Sequence, residues 1–276
     1  MSEKGTDIPR DTSGGEAQMS FWDHLEVLRW ALIRIAAVLV ILVVVSFMAM
    51  PHIFDTLILG PASSDFFVYK WFASVGRLIP FFPYFSDDGF HVDIININVA
   101  SQFMTHISTS FWLSLVLLFP YIVYELWKFV SPALYRSEKS AVGRAFFAGT
   151  FMFYLGCAVG YCLIFPFTFR FLAEYQVSQT IVNQISLNSY MNNFLGMVFI
   201  MGVVFELPLL AWLLSRLGIL HREFLQQYRR HAVVVLLILA AVITPTGDPF
   251  SLMLVFVPLY LLYEVSVRLV RPEAAA

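Results

Sequence analysis

Residues 190–214, YMNNFLGMVFIMGVVFELPLLAWLL, are an almost wholly apolar run about as long as a membrane-crossing helix. The run nonetheless contains Glu206, with Pro208 two positions later. A carboxylate at that depth costs roughly a few kcal/mol unless it is protonated, paired or facing a wet cavity, which makes Glu206 the first candidate functional residue. The competing reading is that Glu206 only hydrogen-bonds across a helix bundle, or sits high enough to reach the headgroups.

The rest of the chain agrees with a membrane setting. Of its 276 residues 59% are apolar and only 13% charged, and the mean hydropathy is +0.75, which excludes an ordinary soluble domain. Cys157 and Cys162, the only cysteines, lie in an apolar segment with neither ligand company nor a disulfide framework, and read as packing residues. Residues 1–20 are polar without an apolar core and read as a disordered cytoplasmic tail, and residues 271–276 as a frayed C-terminus. Between them, residues 21–270 form one all-α membrane domain of six helices, spanning about 25–50, 103–127, 145–168, 190–214, 230–244 and 250–267.

The first span opens as an amphipathic turn at the interface, with Phe21, Leu25, Leu28 and Leu32 on one stripe and His24, Glu26, Arg29 and Arg34 mostly away from it. Pro120 predicts a kink in the second span, whose inner end carries Glu125. Gly149, Gly156 and Gly160 in the third leave room for close helix packing. The fifth has only about 12 apolar residues, roughly 18 Å of helix against a hydrocarbon slab of about 30 Å, and the sixth, interrupted by Pro258, is expected to be short as well. Residues 51–101 are too broken by Pro and Gly to cross, and read as an outer-face cap ending in a strand-like alternation over 92–99. Asp55, Asp65, Asp87, Asp88, Asp93 and His91 in that loop match no metal-ligand spacing and read as a hydrated surface. Residues 170–189 read as a polar loop.

Fourteen of the seventeen Lys and Arg residues lie on one side of this arrangement, against Lys70, Arg77 and Arg170 on the other. The positive-inside rule then puts both termini in the cytoplasm. No metalloprotease, nucleophile-elbow, phosphate-loop or dinucleotide motif occurs, so catalysis, a metal and a cofactor are not expected. The first inner loop, FVSPALYRSEKSAVGR, presents Phe129, Pro132, Tyr135, Arg136, Glu138 and Lys139 over a short distance. Glu138 is either a neutralised surface charge or a carboxylate kept ready for a guanidinium, which it can accept through two oxygens. Glu26 lies on the same side, and two acidic positions near a basic surface favour a peptide with more than one arginine.

Five stretches together resemble one family. They are FxxHLxxLR at 21–29, FVSPALYxxEK at 129–139, the Phe153–Gly156–Tyr161–Pro166 pattern, FExP at 205–208, and the Thr-Pro turn before the last span. This chain is similar there to TatC, the polytopic subunit of the twin-arginine (Sec-independent) protein translocase. The resemblance implies a cupped six-helix protein of the bacterial inner membrane that binds the paired arginines of signal peptides on folded cargo at its cytoplasmic face. It also implies single-span TatA- and TatB-type partners and use of the proton motive force, with self-association left open and no nucleic-acid partner. Carried over by position, Glu138 and Phe129 are signal-peptide contacts, with Pro132, Tyr135 and Arg136 of the same motif beside them. Leu25 and Glu26, at the start of the first helix, are added to that set, Glu26 standing one place before the family's acidic position and on a different face. Glu206 falls on the family's intramembrane acidic position. The family usually has an acid three positions after the first-motif histidine and often a base seven after it, where this chain has Val27 and Ala31. Two other readings use the same residues: a proton-coupled small-solute transporter with Glu206 as proton carrier, and a structural scaffold.

Overall fold

The structure, a computed structural model, describes residues 21–76, 90, 92–130, 136–178, 180–181, 183–244 and 247–272, excepting the side chains of 21–24, 73–76, 130 and 136–142. Its first helix, α1 (Phe21–Ile53), does not stop at Met50 but runs through Pro51 into a wider π turn, Phe54–Ile58, and a 3-10 turn, Gly60–Ala62. The predicted cap therefore begins later than residue 51. Within it α2 (Phe67–Gly76) is a short helix whose buried side carries Val68, Tyr69 and Phe72. A two-residue strand, β1 (Ile94–Ile95), occupies the predicted alternation, and it pairs in parallel with β2 (Ile185–Ser186).

The next helix, α3 (Ser101–Val130), is continuous through Pro120. It packs along α1, and three contacts give the direction: Arg34 with Glu125, the Ser46 and Ser114 hydroxyls 3.0 Å apart, and His106 Nε2 at 2.8 Å from the Phe47 carbonyl. Residue numbers fall along α3 as they rise along α1, so the two helices are antiparallel.

The third span is longer than its apolar run. It comprises α4 (Arg136–Val159), a π turn at Gly160–Ile164 and α5 (Phe165–Glu174). Pro166 has no N–H for the carbonyl four residues earlier, and the wider turn is where the ladder adjusts. Residues 170–174 are thus helix rather than the polar loop expected. Arg170 is 5% exposed, bound to Glu174 at 2.7 Å and lying over the rings of Tyr69 and Phe90. A guanidinium is stable at such a site because its charge is paired and its face stacks on aromatic rings.

The fourth span is two helices, α6 (Leu187–Val204) and α7 (Leu207–Arg216), broken at Phe205 and Glu206. Pro208 is the cause, since it cannot donate to the carbonyl of Val204 and its ring crowds that turn. After the short α8 (Arg222–Gln227) come α9 (Arg229–Ile243) and α10 (Pro249–Leu269). With 15 residues, α9 is about 22 Å long. The expectation of a short last helix is corrected: α10 has 21 residues, begins with an Asp248 N-cap to the Ser251 amide and continues through Pro258. Among the described residues five helical segments are long and apolar enough to cross a membrane, and α10 is one of them.

The core lies where α5, α6, α9 and α10 meet. Phe165, Phe169, Tyr190 and Phe194 pack ring edge to ring face, with Met197, Met201, Ala240, Val255 and Leu259 filling between them. Tyr190 donates to the Ile58 carbonyl, so the π turn after α1 is tied to the same core.

Candidate functional site

Close helix packing sets the position of Glu206. α4 and α6 touch through glycine: a Cβ on Gly156 would stand 2.5 Å from the Met201 carbonyl oxygen, and one on Gly202 would stand 2.6 Å from Cys157 Sγ. Farther along α4, a Cβ on Gly149 would lie 3.0 Å from Glu206 Oε2 and 2.5 Å from Leu209 Cδ2. The carboxylate is therefore laid against bare backbone at the break between α6 and α7. Its Oε1 is buried without a hydrogen-bond partner. A buried carboxylate oxygen left unpaired is costly, which makes Glu206 a candidate site for a polar contact.

A second carboxylate in the bundle, Glu125, reads from the sequence only as a residue near the inner end of its span. Glu125 is 3% exposed, and its oxygens receive Arg34 Nε at 2.9 Å and Arg34 Nη2 at 2.7 Å, with the Tyr121 hydroxyl at 2.9 Å. This is a two-point guanidinium contact of the strong kind. Nothing at the sequence level paired residues 91 positions apart. The available signal was an arginine and a glutamate at comparable depth in two neighbouring apolar runs.

This ion pair also orients the signal-peptide residues read from the sequence. Glu26 lies eight positions before Arg34 on α1, and Phe129 four positions after Glu125 on the antiparallel α3, so both are at the same end of the helix pair. Glu26 is exposed, Leu25 is 40% exposed, and Phe129 is half-buried. Arg136 and Glu138 fall in the first turn of α4, which starts at that same end. Their side chains, together with Pro132 and Tyr135, lie outside the described residues, as do the side chain of His24 and the acids Asp87 and Asp88 and His91 of the cap. In the cap Asp65 binds Lys70 at 2.9 Å, which holds its carboxyl below the usual range. Among the described residues no group of three or more His, Cys, Asp or Glu is arranged to hold a metal ion.

The fold defines a polytopic all-α membrane protein in which, among the described residues, the buried Oε1 of Glu206 has no hydrogen-bond partner. The family model for the Sec-independent protein translocase protein TatC matches residues 23–258, and the chain belongs to that family. A TatC from Blattabacterium of Periplaneta americana is 34% identical over 254 residues, covering 91% of this chain and 94% of its own. The TatC of Deinococcus radiodurans is 35% identical over 256 residues, 92% and 87% respectively, and that of Escherichia coli K12 is 32% identical over 197 residues. The crystal structure of the twin-arginine translocase receptor TatC in DDM superimposes with a TM-score of 0.68 at 25% identity, over 89% of this chain and 98% of the other. The chain is thus a non-enzymatic, multi-pass protein of the bacterial inner membrane with a TatC-type receptor function in twin-arginine protein translocation. The small-solute transporter reading receives no support from these relatives.

Proposed function

We propose that the twin-arginine signal peptide docks at the end of the bundle where α1 begins, α3 ends and α4 begins. Glu138 is its principal carboxylate, Phe129 its apolar contact, and Glu26, Leu25, Pro132, Tyr135 and Arg136 the surrounding surface. The observation that carries this is the antiparallel pairing of α1 and α3 through Arg34 and Glu125, which brings Glu26 and Phe129 to one edge. Val27 replaces the usual acid of the first motif, and Glu26, one position earlier and exposed, supplies a carboxylate at that edge instead. A planar guanidinium satisfies two carboxylate oxygens at once, whereas lysine offers a point charge, so a Lys-Lys peptide binds more weakly at equal charge.

In this reading residues 21–270 are one membrane domain with α9 as a sixth, short crossing, both termini are cytoplasmic, and the cap faces outward. Fourteen of seventeen cations on one side support the orientation. Cargo export is driven by the proton motive force with single-span partners of the TatA and TatB type. Glu206 provides the polar point at which a partner's transmembrane polar side chain pairs, since its Oε1 has no partner of its own.

The test is crosslinking of purified protein to Arg-Arg and Lys-Lys signal peptides. Adducts should require both the arginine pair and Glu138, and Glu138→Ala should abolish export while the protein still inserts. Adducts indifferent to both would sink the assignment.

A further inference from the structure

Six arginines, Arg216, Arg222, Arg229, Arg230, Arg268 and Arg271, lie around the ends of α7, α8, α9 and α10, and the signal-peptide reading uses none of them. Three are joined by backbone contacts. Gly218, at φ +72, ends α7 and reverses the chain, with its amide donating to the Ser215 carbonyl. The turn returns Arg222 to the end of α10, where its amide donates to the Arg271 carbonyl at 3.1 Å. The Arg271 amide in turn donates to Ser215 Oγ at 3.1 Å, next to Arg216. Three cationic residues from three separate segments are thereby held in one patch.

Two of them are incompletely satisfied. The Nε of Arg216 and the Nε of Arg222 are both buried without a hydrogen-bond partner. Among the described residues no carboxylate bonds to either Nε, and Glu264 is taken by Arg229 at 3.0 Å and by the Tyr260 hydroxyl. Buried donors on adjacent cations call for an anion with several acceptor oxygens.

The depth of the patch identifies the source of that anion. Arg216 is the last residue of one membrane-length segment, and Arg271 follows another by two positions. The Arg216 guanidinium lies 5.1 Å from the Trp212 ring centroid, and tryptophan concentrates at headgroup level. Basic pockets between spans on the cation-rich side are suited to lipid phosphates. We infer that Arg216, Arg222 and Arg271 form a binding site for the phosphate of an anionic phospholipid headgroup.

Native mass spectrometry of the full chain tests this, using micelles that contain phosphatidylglycerol and phosphatidylcholine together. The wild type should retain phosphatidylglycerol in preference, and the preference should fall about fivefold for each of Arg216→Gln, Arg222→Gln and Arg271→Gln, the effect of one juxtamembrane cation. Arg216→Lys and Arg222→Lys, which keep charge and lose Nε–H, should lose part of the preference, and they keep the readout should a glutamine variant fail to fold. Arg230→Gln, exposed and outside the patch, should leave it unchanged. Unaltered preference in the patch variants, equal loss in Arg230→Gln, or displacement of the lipid by inorganic phosphate would each overturn the inference.

Discussion

Glu125 and Glu206 are two carboxylates on membrane-length segments, and their surroundings treat them oppositely. Glu125 is neutralised within the chain, so Arg34→Ala should leave a buried charge unpaired and lower the Tm in detergent more than Glu125→Ala, which releases a guanidinium that is 39% exposed and reaches solvent readily. The double variant should recover most of the Arg34→Ala loss. Equal effects of the two single variants would mean that the pair contributes little. Glu206 has no such partner, and Glu206→Ala should impair export or partner assembly while leaving signal-peptide crosslinking largely intact. Loss of crosslinking in a correctly inserted Glu206→Ala protein would contradict that separation. The candidacy of Glu206 was legible in its apolar neighbours. That of Glu125 was not, because its meaning depends on an arginine brought to it by helix pairing.

Helix contacts make further demands. At Gly156 an added methyl meets backbone oxygen, which cannot swing aside, so Gly156→Ala should destabilise the protein by about 1–3 kcal/mol. Gly196, on α6, meets nothing within 4 Å, and Gly196→Ala should be neutral or stabilise by up to about 1 kcal/mol. Thermal melts of the two variants in one detergent compare them directly. The glycines of the third span read as packing positions, and the structure gives their neighbours: Gly156 and Gly160 meet α6 and Phe205, and Gly149 meets Glu206 and, on α7, Leu209. Arg170 joins α5 to the cap through Tyr69 and Phe90. Arg170→Ala should accelerate amide exchange in α2, and Arg170→Lys should not restore it, because an ammonium lacks the flat face that stacks on both rings. Unchanged exchange in Arg170→Ala would show that α2 is held by its apolar side alone.

Across the whole protein, the orientation can be checked with single cysteines. A cysteine at Val99, at the outer end before α3, should react with an impermeant maleimide added from outside, and one at Ile219 only after the membrane is opened; both positions are exposed. The opposite pattern would invert the topology. Sequence alone determined that this chain lives in a bilayer, roughly which segments are apolar enough to cross it, and which family it belongs to. Those properties follow from local apolar length and short motifs, each readable within one segment. Tertiary structure decided the pairing of Arg34 with Glu125, the burial of Arg170, the contact of Gly149 with Glu206 and the joining of Arg216, Arg222 and Arg271. Each joins residues from separate segments, and distance along the chain carries no record of distance in space. The full length of α10 escaped the sequence reading because Pro258 reads as an interruption, whereas the helix continues through it; its start was available in Asp248 followed by Pro249.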